Sequence, residues 1–268
     1  MADDLNRAWL QALADVLHGD PVAPRGQPTL ERLHRTLTVD MRRPVLTVPS
    51  RKLSYQFMAA EAFWILSGDD TVAGIAPWNK EIRKFSDDGQ TFFGSYGPKV
   101  VGQLPYVVEK LLSDPDSRQA GLTIWRESPP ATKDVPCTVA LFFSLRGEKL
   151  HTHAFMRSSD QWLGIVYDVF NFAMISHAVC ARLNHARLRA DCGASLVQPG
   201  TLYLTAASAH LYQQHWAAAR LALSSQVPAL SETTPAELFL NEATLMNTLK
   251  ALRDSKRGDP LRWWEAQP

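Results

Sequence analysis

Cysteine is scarce in this chain of 268 residues, which has three: Cys137, Cys180 and Cys192. An odd and sparse set argues against a disulfide framework and favours a reducing compartment. None of the spacings between the cysteines suits a structural zinc site, so no metal is expected. The cysteines are therefore candidates either for packing or for chemistry with a free thiol.

Net charge and long apolar runs are lacking as well. The formal net charge is +1, which excludes a general attraction to nucleic acid and means that any anion must be held by a local arginine cluster. The longest apolar stretch, residues 169–181, contains Asn171, Ser176 and His177 and is too short to span a bilayer. The acidic, amphipathic N-terminus does not read as a signal peptide. Together these absences predict a cytoplasmic protein without a membrane or nucleic-acid partner.

The chain also lacks repeats, low-complexity tracts and linkers, so residues 1–268 are predicted to form one α+β domain. Apolar residues at helical spacing predict helices over residues 5–17, 55–66, 100–112, 168–183, 210–223 and 237–252. Alternating apolar residues predict strands over residues 33–53, 120–125 and 201–207, and a hairpin of residues 137–145 and 150–157. Loops are predicted over residues 19–28 and 78–96.

A cysteine and an arginine stand at the same end of the predicted hairpin. Cys137 follows a proline at the start of the first strand, and Arg157 ends the second. A free cysteine is most often a small buried hydrophobe. Positive charge from Arg157 would instead favour the thiolate that a nucleophile needs. On these residues alone both interpretations stay open.

Three further patterns place polar groups where they could act on a ligand. The segment Arg-Ser-Ser-Asp, residues 157–160, is either a polar turn or a cradle for a phosphate. His210 and Tyr212 are two residues apart and would point the same way on an extended chain, which suits a structural pair or a grip on a sugar hydroxyl. Glu61 lies in the apolar segment AAEAFWIL, so it is either paired with a base or held with a raised pKa for proton transfer.

Taken in order, these segments resemble those of the thymidylate synthase family, including its nucleotide hydroxymethylase branch. The similar segments are AEAFWILSGDD (60–70), GSYGPK (94–99), DPDSRQ (114–119), Pro136-Cys137, RSSDQWLG (157–164) and HLYQQH (210–215). The resemblance implies a mixed β-sheet flanked by helices and a homodimer packed sheet to sheet. It also implies a pyrimidine nucleoside monophosphate as substrate and 5,10-methylenetetrahydrofolate as cosubstrate.

The resemblance gives a binding role to six residues. Those implied to hold the nucleotide phosphate and sugar are Arg25, Arg118, Arg157, Ser158, His210 and Tyr212. Arg118 would reach the phosphate site of the partner subunit, because active sites in this family are shared. His210 and Tyr212 would bind the sugar 3′-hydroxyl.

The resemblance also assigns the chemistry. Cys137 would be the nucleophile, Glu61 would organise proton transfer, and Tyr96 would assist proton removal at C5. Trp78 and Asp160 would face the folate.

The chain departs from the family pattern at several places, three of which weaken the active-site pattern. Gln119 stands where a second arginine is usual, Thr138 stands where a histidine usually follows the nucleophile, and residues 206–209 read Ala-Ala-Ser-Ala in place of Gly-Gly-Asp-Thr. These departures leave open the alternative that the chain binds folate or a nucleotide without turnover.

The departure that bears on the substrate is Asp168. Family members that act on uracil read Leu-Gly-x-Pro-Phe-Asn, whereas this chain reads LGIVYD, with Asp168 at the asparagine position. A protonated carboxyl can donate to N3 of cytosine and accept from its N4 amino group, but an ionised one cannot donate to O4 of uracil. The alternatives are that Asp168 only caps a helix, or that Asn171 reads the base. The expected substrate is dCMP.

The expected reaction is a folate-dependent hydroxymethylation at C5 of dCMP, giving 5-hydroxymethyl-dCMP and tetrahydrofolate. Proton donation from Asp168 to N3 would stabilise the ring after thiolate addition at C6. Water would give the hydroxymethyl product and hydride a methyl; the tail PLRWWEAQP, residues 260–268, lacks the apolar ending of synthases and favours water. The alternatives are a dCMP 5-methyltransferase, a dUMP hydroxymethylase or thymidylate synthase, and a CMP hydroxymethylase.

Overall fold

A seven-stranded mixed sheet forms the centre of the computed structural model, which describes residues 4–224 and 233–255. The strands are β1 (Asp20–Val22), β2 (Thr29–Asp40), β3 (Gly121–Thr123), β4 (Thr138–Arg146), β5 (Lys149–Met156), β6 (Ser159–Asp160) and β7 (Gln198–Tyr212). Their order across the sheet is β1-β2-β7-β5-β4-β3, with β6 beside β7. Strand β7 runs parallel to β5 and β6 and antiparallel to β2, so the sheet is mixed.

Helices flank this sheet, as the predicted α+β class requires. They are α1 (Leu5–Val16), α2 (Tyr55–Leu66), α3 (Val72–Ile75), α4 (Gly97–Ser113), α5 (Ile165–Ala190), α6 (Trp216–Ser224), α7 (Glu237–Leu240) and α8 (Glu242–Asp254). Helix α5 is apolar on every side through its first half because it is buried there between the sheet and other helices. Within the part of the chain that the structure describes, no helix combines the length and apolarity needed to cross a membrane.

Several elements predicted from periodicity are confirmed and two are wrong. Helices α1 and α2 and the hairpin of β4 and β5 lie within a residue or two of the predicted bounds. Residues 41–53 are not a strand, since Pro44 and Pro49 lack the N–H that a strand ladder needs. Residues 210–212 are not helical either; they extend β7, because pairing with β2 continues to Tyr212.

Strand β7 changes the phase of its side chains near its middle. Its buried apolar positions are Leu202, Leu204 and Ala206, and then Ala209 and Leu211. The alternation therefore shifts at residues 207–208, opposite His34 of β2, whose φ of 52° lies in the left-handed region. As a result Ser208, His210 and Tyr212 share one side of the strand, away from its buried positions.

The expectation that water gives the final product rests in part on the C-terminal tail. The C-terminal tail, residues 260–268, lies outside the described part of the chain.

Candidate active site

A cavity of about 670 Å³ brings together most of the residues singled out in the sequence. Those that line it are Arg25, Glu61, Tyr96, Cys137, Arg157, Ser158, Asp160, Asp168, His210 and Tyr212. Its volume lies in the range of cavities that bind small molecules. A smaller cavity of about 310 Å³, between α1 and strands β2 and β7, contains none of them.

Cys137 is held in place by Arg157. The Arg157 N–H donates to the Cys137 carbonyl at 2.8 Å. Its guanidinium donates from Nε to the carbonyl of Pro136 at 3.0 Å and from Nη2 to that of Val135 at 2.8 Å. One arginine thus anchors the segment that carries the thiol and leaves Nη1 available to a ligand.

The surroundings of the Cys137 thiol work in both directions. Burial raises its pKa, the charge of Arg157 lowers it, and the carboxyls of Asp168, Asp134 and Asp160 raise it. Arg157 therefore acts in the expected direction without prevailing. Since a protonated Asp168 carries no charge, its protonation removes one of the groups that oppose a thiolate.

Asp168 lies in the first turn of α5 and faces the cavity. Burial, followed by the charges of Glu61 and Asp160, raises its pKa well above the usual range of an aspartate. The start of the helix favours the anion by about 0.3–1 kcal/mol, which is the smaller effect. Asp168 does not cap the helix, because the N-cap is Gly164 and has no capping side chain. A Cβ on Gly164 would lie 3.3 Å from Asp168 Oδ2, so glycine leaves room for this carboxyl.

Glu61 has no basic partner among the described residues. Burial raises its pKa to about 7, and a hydrogen bond from Asn171 lowers it. Asn171 Nδ2 donates to Glu61 Oε2 at 2.8 Å, while Asn171 Oδ1 is buried without a partner in the described part of the chain. Because the amide occupies Oε2 as an acceptor, the acidic proton of Glu61 is directed to Oε1. Asn171, the alternative base reader, also lines the cavity, but its amide N–H is engaged with Glu61.

Tyr96 precedes α4 and is held by Thr138, the residue that departs from the family pattern. Thr138 donates to the Tyr96 hydroxyl oxygen from Oγ1 at 2.8 Å and from its N–H at 3.3 Å. Burial, followed by the charges of Asp168 and Cys137, raises the pKa of Tyr96 well above its usual value. The phenol is therefore neutral, and its own proton is free to be donated to a ligand or a water.

The polar end of the cavity contains the arginines, the serine and the histidine–tyrosine pair. Arg25 adopts a φ of 54°, a left-handed conformation that costs about 1–2 kcal/mol in a residue other than glycine. Its Nη2 donates to the Tyr212 hydroxyl at 3.5 Å. His210 Nδ1 lies 3.3 Å from Ser158 Oγ, and the rings of His210 and Tyr212 are 5.1 Å apart. Four side chains from three separate segments thus converge here.

A further part of the cavity is apolar, and the carboxyl of Asp160, which is paired with His210 in the strand register, also belongs to the lining. Its walls there include Ile82, Phe85 and Leu163. Asp160 Oδ1 accepts from the N–H groups of Trp162 and Leu163 at 2.8 and 2.9 Å, which leaves Oδ2 open. Apolar walls beside one free acceptor suit a flat heteroaromatic ring that carries N–H groups, such as the pterin of a folate. Sequence reasoning missed Ile82 and Phe85, whose spacing of three residues in a polar segment was the available signal.

Two of the predicted residues lie elsewhere. The indole Nε1 of Trp78 donates to the Arg253 carbonyl at 2.8 Å, and the Arg253 guanidinium lies 4.9 Å from the ring centre, so Trp78 packs with α8 and does not line the cavity. Arg118 is exposed between α4 and β3, also outside the cavity of its own chain. The described residues contain no cluster of histidine, cysteine and carboxylate side chains suited to a metal ion.

Comparison with known proteins agrees with the resemblance seen in the sequence. A family model described as thymidylate synthase matches residues 7–250 of the chain. The deoxyuridylate hydroxymethyltransferase of Bacillus phage SP01 is 29% identical, over 78% of this chain and 57% of that protein. The chain therefore spans a little over half the length of this relative.

Replacing the thiol tests the role of Cys137. Cys137→Ser should abolish tritium release from C5-labelled pyrimidine nucleotide, because a hydroxyl is a far weaker nucleophile at neutral pH, while nucleotide binding persists. Cys192→Ser, at an exposed cysteine outside the cavity, is the matched control and should retain activity. Wild-type tritium release by Cys137→Ser would dismiss the assignment.

Removing the amide beside Glu61 should move the pH dependence. The Asn171 hydrogen bond lowers the pKa of Glu61, so Asn171→Leu should raise that pKa above about 7. The limb of the pH–rate profile set by Glu61 should then move to higher pH by roughly one unit. In a Glu61→Gln background the same substitution should leave the residual profile unmoved; a shift there would assign the effect to another group.

Proposed function

The chain belongs to the thymidylate synthase family, and we propose that it transfers a one-carbon unit to C5 of dCMP, giving 5-hydroxymethyl-dCMP. The observation that carries this proposal is the Asp168 carboxyl in the wall of the cavity, where burial and neighbouring carboxylates raise its pKa well above the usual range.

A neutral carboxyl has one hydrogen to donate and an oxygen that accepts. Cytosine matches it with an acceptor at N3 and a donor at N4. Uracil presents N3–H and O4, the reverse pattern, which a neutral carboxyl can also meet by rotating. Only cytosine has at N3 a lone pair that can take up the carboxyl proton as negative charge develops on the ring. Burial of Asp168 beside Glu61 raises its pKa well above the usual range and so favours the protonated form, which supports cytosine.

Each residue around the base has its own part in the proton and electron movements of the reaction. Cys137 Sγ adds to C6, and the Asp168 proton moves toward N3, which spreads the negative charge away from C5. Tyr96, neutral and held by Thr138, is the hydrogen-bonding group for removal of the C5 proton. Glu61, with a pKa of about 7, accepts or releases a proton near neutrality.

The cavity also fits the cosubstrate. Methylenetetrahydrofolate supplies the one-carbon unit when bound, and Ile82, Phe85, Leu163 and the open Oδ2 of Asp160 are the groups that would hold its ring system.

Water is favoured as the final partner of the transferred carbon. A bound water needs polar partners, and Glu61 together with the unpartnered Asn171 Oδ1 supplies them. This polar corner supports a hydroxymethyl product over a methyl product.

A second candidate is the same transfer to dUMP. It is favoured by the relative from Bacillus phage SP01, whose name assigns it to deoxyuridylate. The two candidates differ in the base alone, so a single assay separates them.

The test of the substrate is dCMP against dUMP, each with methylenetetrahydrofolate, with the product identified by mass. The wild type should prefer dCMP, and Asp168→Asn should shift the preference toward dUMP by roughly 100-fold or more, because an amide matches the uracil edge. Asp134→Asn, the same change at another cavity carboxyl with a raised pKa, should keep the dCMP preference. A strong dCMP preference retained by Asp168→Asn would argue against Asp168 as the base reader.

We also propose that two copies pair through the outer face of the sheet. On β4 and β5 the alternate side chains that pack toward the helices are buried, whereas Phe142 and Phe155 on the opposite face are 41% and 43% exposed and contact each other edge to face. Exposed apolar side chains clustered on one sheet face mark an interaction site. Arg118 is exposed and lies outside the cavity of its own chain. Pairing would bring it toward the phosphate end of the partner subunit's cavity.

A charge on this face should prevent pairing. Phe155→Asp is expected to give a monomer in sedimentation experiments and to lower the apparent affinity for nucleotide if Arg118 acts across the interface. Tyr106→Asp, on α4 with 45% exposure, is the matched control and should leave the oligomeric state unchanged. A Phe155→Asp protein with wild-type mass in solution would contradict this mode of pairing.

A further inference from the structure

Glu31 is a carboxylate in the cavity wall to which no role has been given. It lies on β2 directly opposite His210 of β7 in the strand register. Ser208, two residues before His210 and also in the cavity wall, donates a hydrogen bond to Glu31 Oε1. The shift in the side-chain phase of β7 thus puts a carboxylate and its supporting serine beside His210 and Tyr212.

The described residues do not neutralise this carboxylate. None of their ion pairs involves Glu31, and Ser208 is the sole hydrogen-bond donor they offer it, which leaves Oε2 open. A half-buried carboxylate without a cation is costly, and it repels a phosphate. Such a group is stabilised in a nucleotide site only when the ligand gives it a donor.

A nucleoside monophosphate has few donors to give. Its phosphate accepts hydrogen bonds at neutral pH, and its base is directed to Asp168 at the opposite side of the polar region. The sugar hydroxyls are what remains. Carboxylates recognise sugar hydroxyls in this way in dinucleotide-binding proteins, where an acidic side chain accepts from the ribose.

We propose that Glu31, oriented by Ser208, accepts a hydrogen bond from a sugar hydroxyl of the bound nucleotide. A hydroxyl has one hydrogen and two lone pairs, so it donates to Glu31 while accepting from His210 or Tyr212. The inference rests on the proposed function, since it requires a nucleotide in the cavity. The 3′-hydroxyl and the 2′-hydroxyl share this chemistry, and the experiment separates them.

The experiment measures nucleotide binding by calorimetry without folate, so that no turnover is needed. Wild type and Glu31→Gln are compared with dCMP, CMP and 2′,3′-dideoxy-CMP. Glutamine keeps the size of the side chain and an oxygen for Ser208, but it loses the charge. Glu31→Gln should bind dCMP about tenfold or more weakly, because a hydrogen bond to a charged acceptor is lost, and should bind the dideoxy nucleotide as the wild type does.

The comparison of CMP with dCMP identifies the hydroxyl. An equal loss for both assigns the 3′-hydroxyl, and a larger loss for CMP assigns the 2′-hydroxyl; either supports the proposal. Ser208→Ala should show a smaller loss with the same dependence on the hydroxyl. Glu148→Gln, an exposed glutamate in the turn between β4 and β5, should change none of the affinities.

Two results would overturn the inference by itself: dCMP binding unchanged in Glu31→Gln, or an equal loss for the dideoxy nucleotide. If the protein binds uridine nucleotides better, the same series in uridine applies, since the base preference does not alter the contrast between hydroxylated and dideoxy sugars. Wild-type protein that bound no pyrimidine nucleotide would overturn the proposed function together with the inference.

Discussion

Two buried carboxyl groups on one cavity wall are the constraint from which the rest of the site follows. Burial raises the pKa of both carboxyls above the usual range, and the charge of Glu61 raises that of Asp168 further. One carboxyl is thereby kept as a donor while the other titrates near neutrality. The charge of Asp168 raises the pKa of Cys137, so protonation of Asp168 would favour the thiolate as well as the proposed recognition of the base.

The supporting residues act mainly by occupying hydrogen-bonding positions. Asn171 takes one oxygen of Glu61, Thr138 takes the lone pairs of the Tyr96 hydroxyl, and Arg157 ties down the carbonyls around Cys137. Each of them decides which atom of its partner faces the cavity. Thr138, which looked in the sequence like a gap in the active-site pattern, thus positions the Tyr96 hydroxyl.

Strand β7 couples the sheet to the polar end of the cavity. Its long pairing with β2 carries the strand to Tyr212, and the change of phase at residues 207–208 turns Ser208, His210 and Tyr212 to one side. Because β2 is paired in register, Glu31 arrives opposite His210. Ser208, in the segment that departs from the family pattern, therefore lies where it donates a hydrogen bond to a carboxylate of the neighbouring strand.

The sequence by itself determined the class of fold, the helices α1 and α2, and the hairpin that ends at Arg157. It also determined which residues were candidates for catalysis or binding. Those features follow from local periodicity and from motifs of adjacent residues, which can be recognised without knowledge of the rest of the chain. Tertiary structure alone decided that β7 continues through His210, that Trp78 packs with α8, and that Ile82, Phe85 and Glu31 reach the cavity. The reason is that strand pairing and burial are set by residues far apart in the chain, and the same burial sets the pKa values that give Glu61 and Asp168 their different roles.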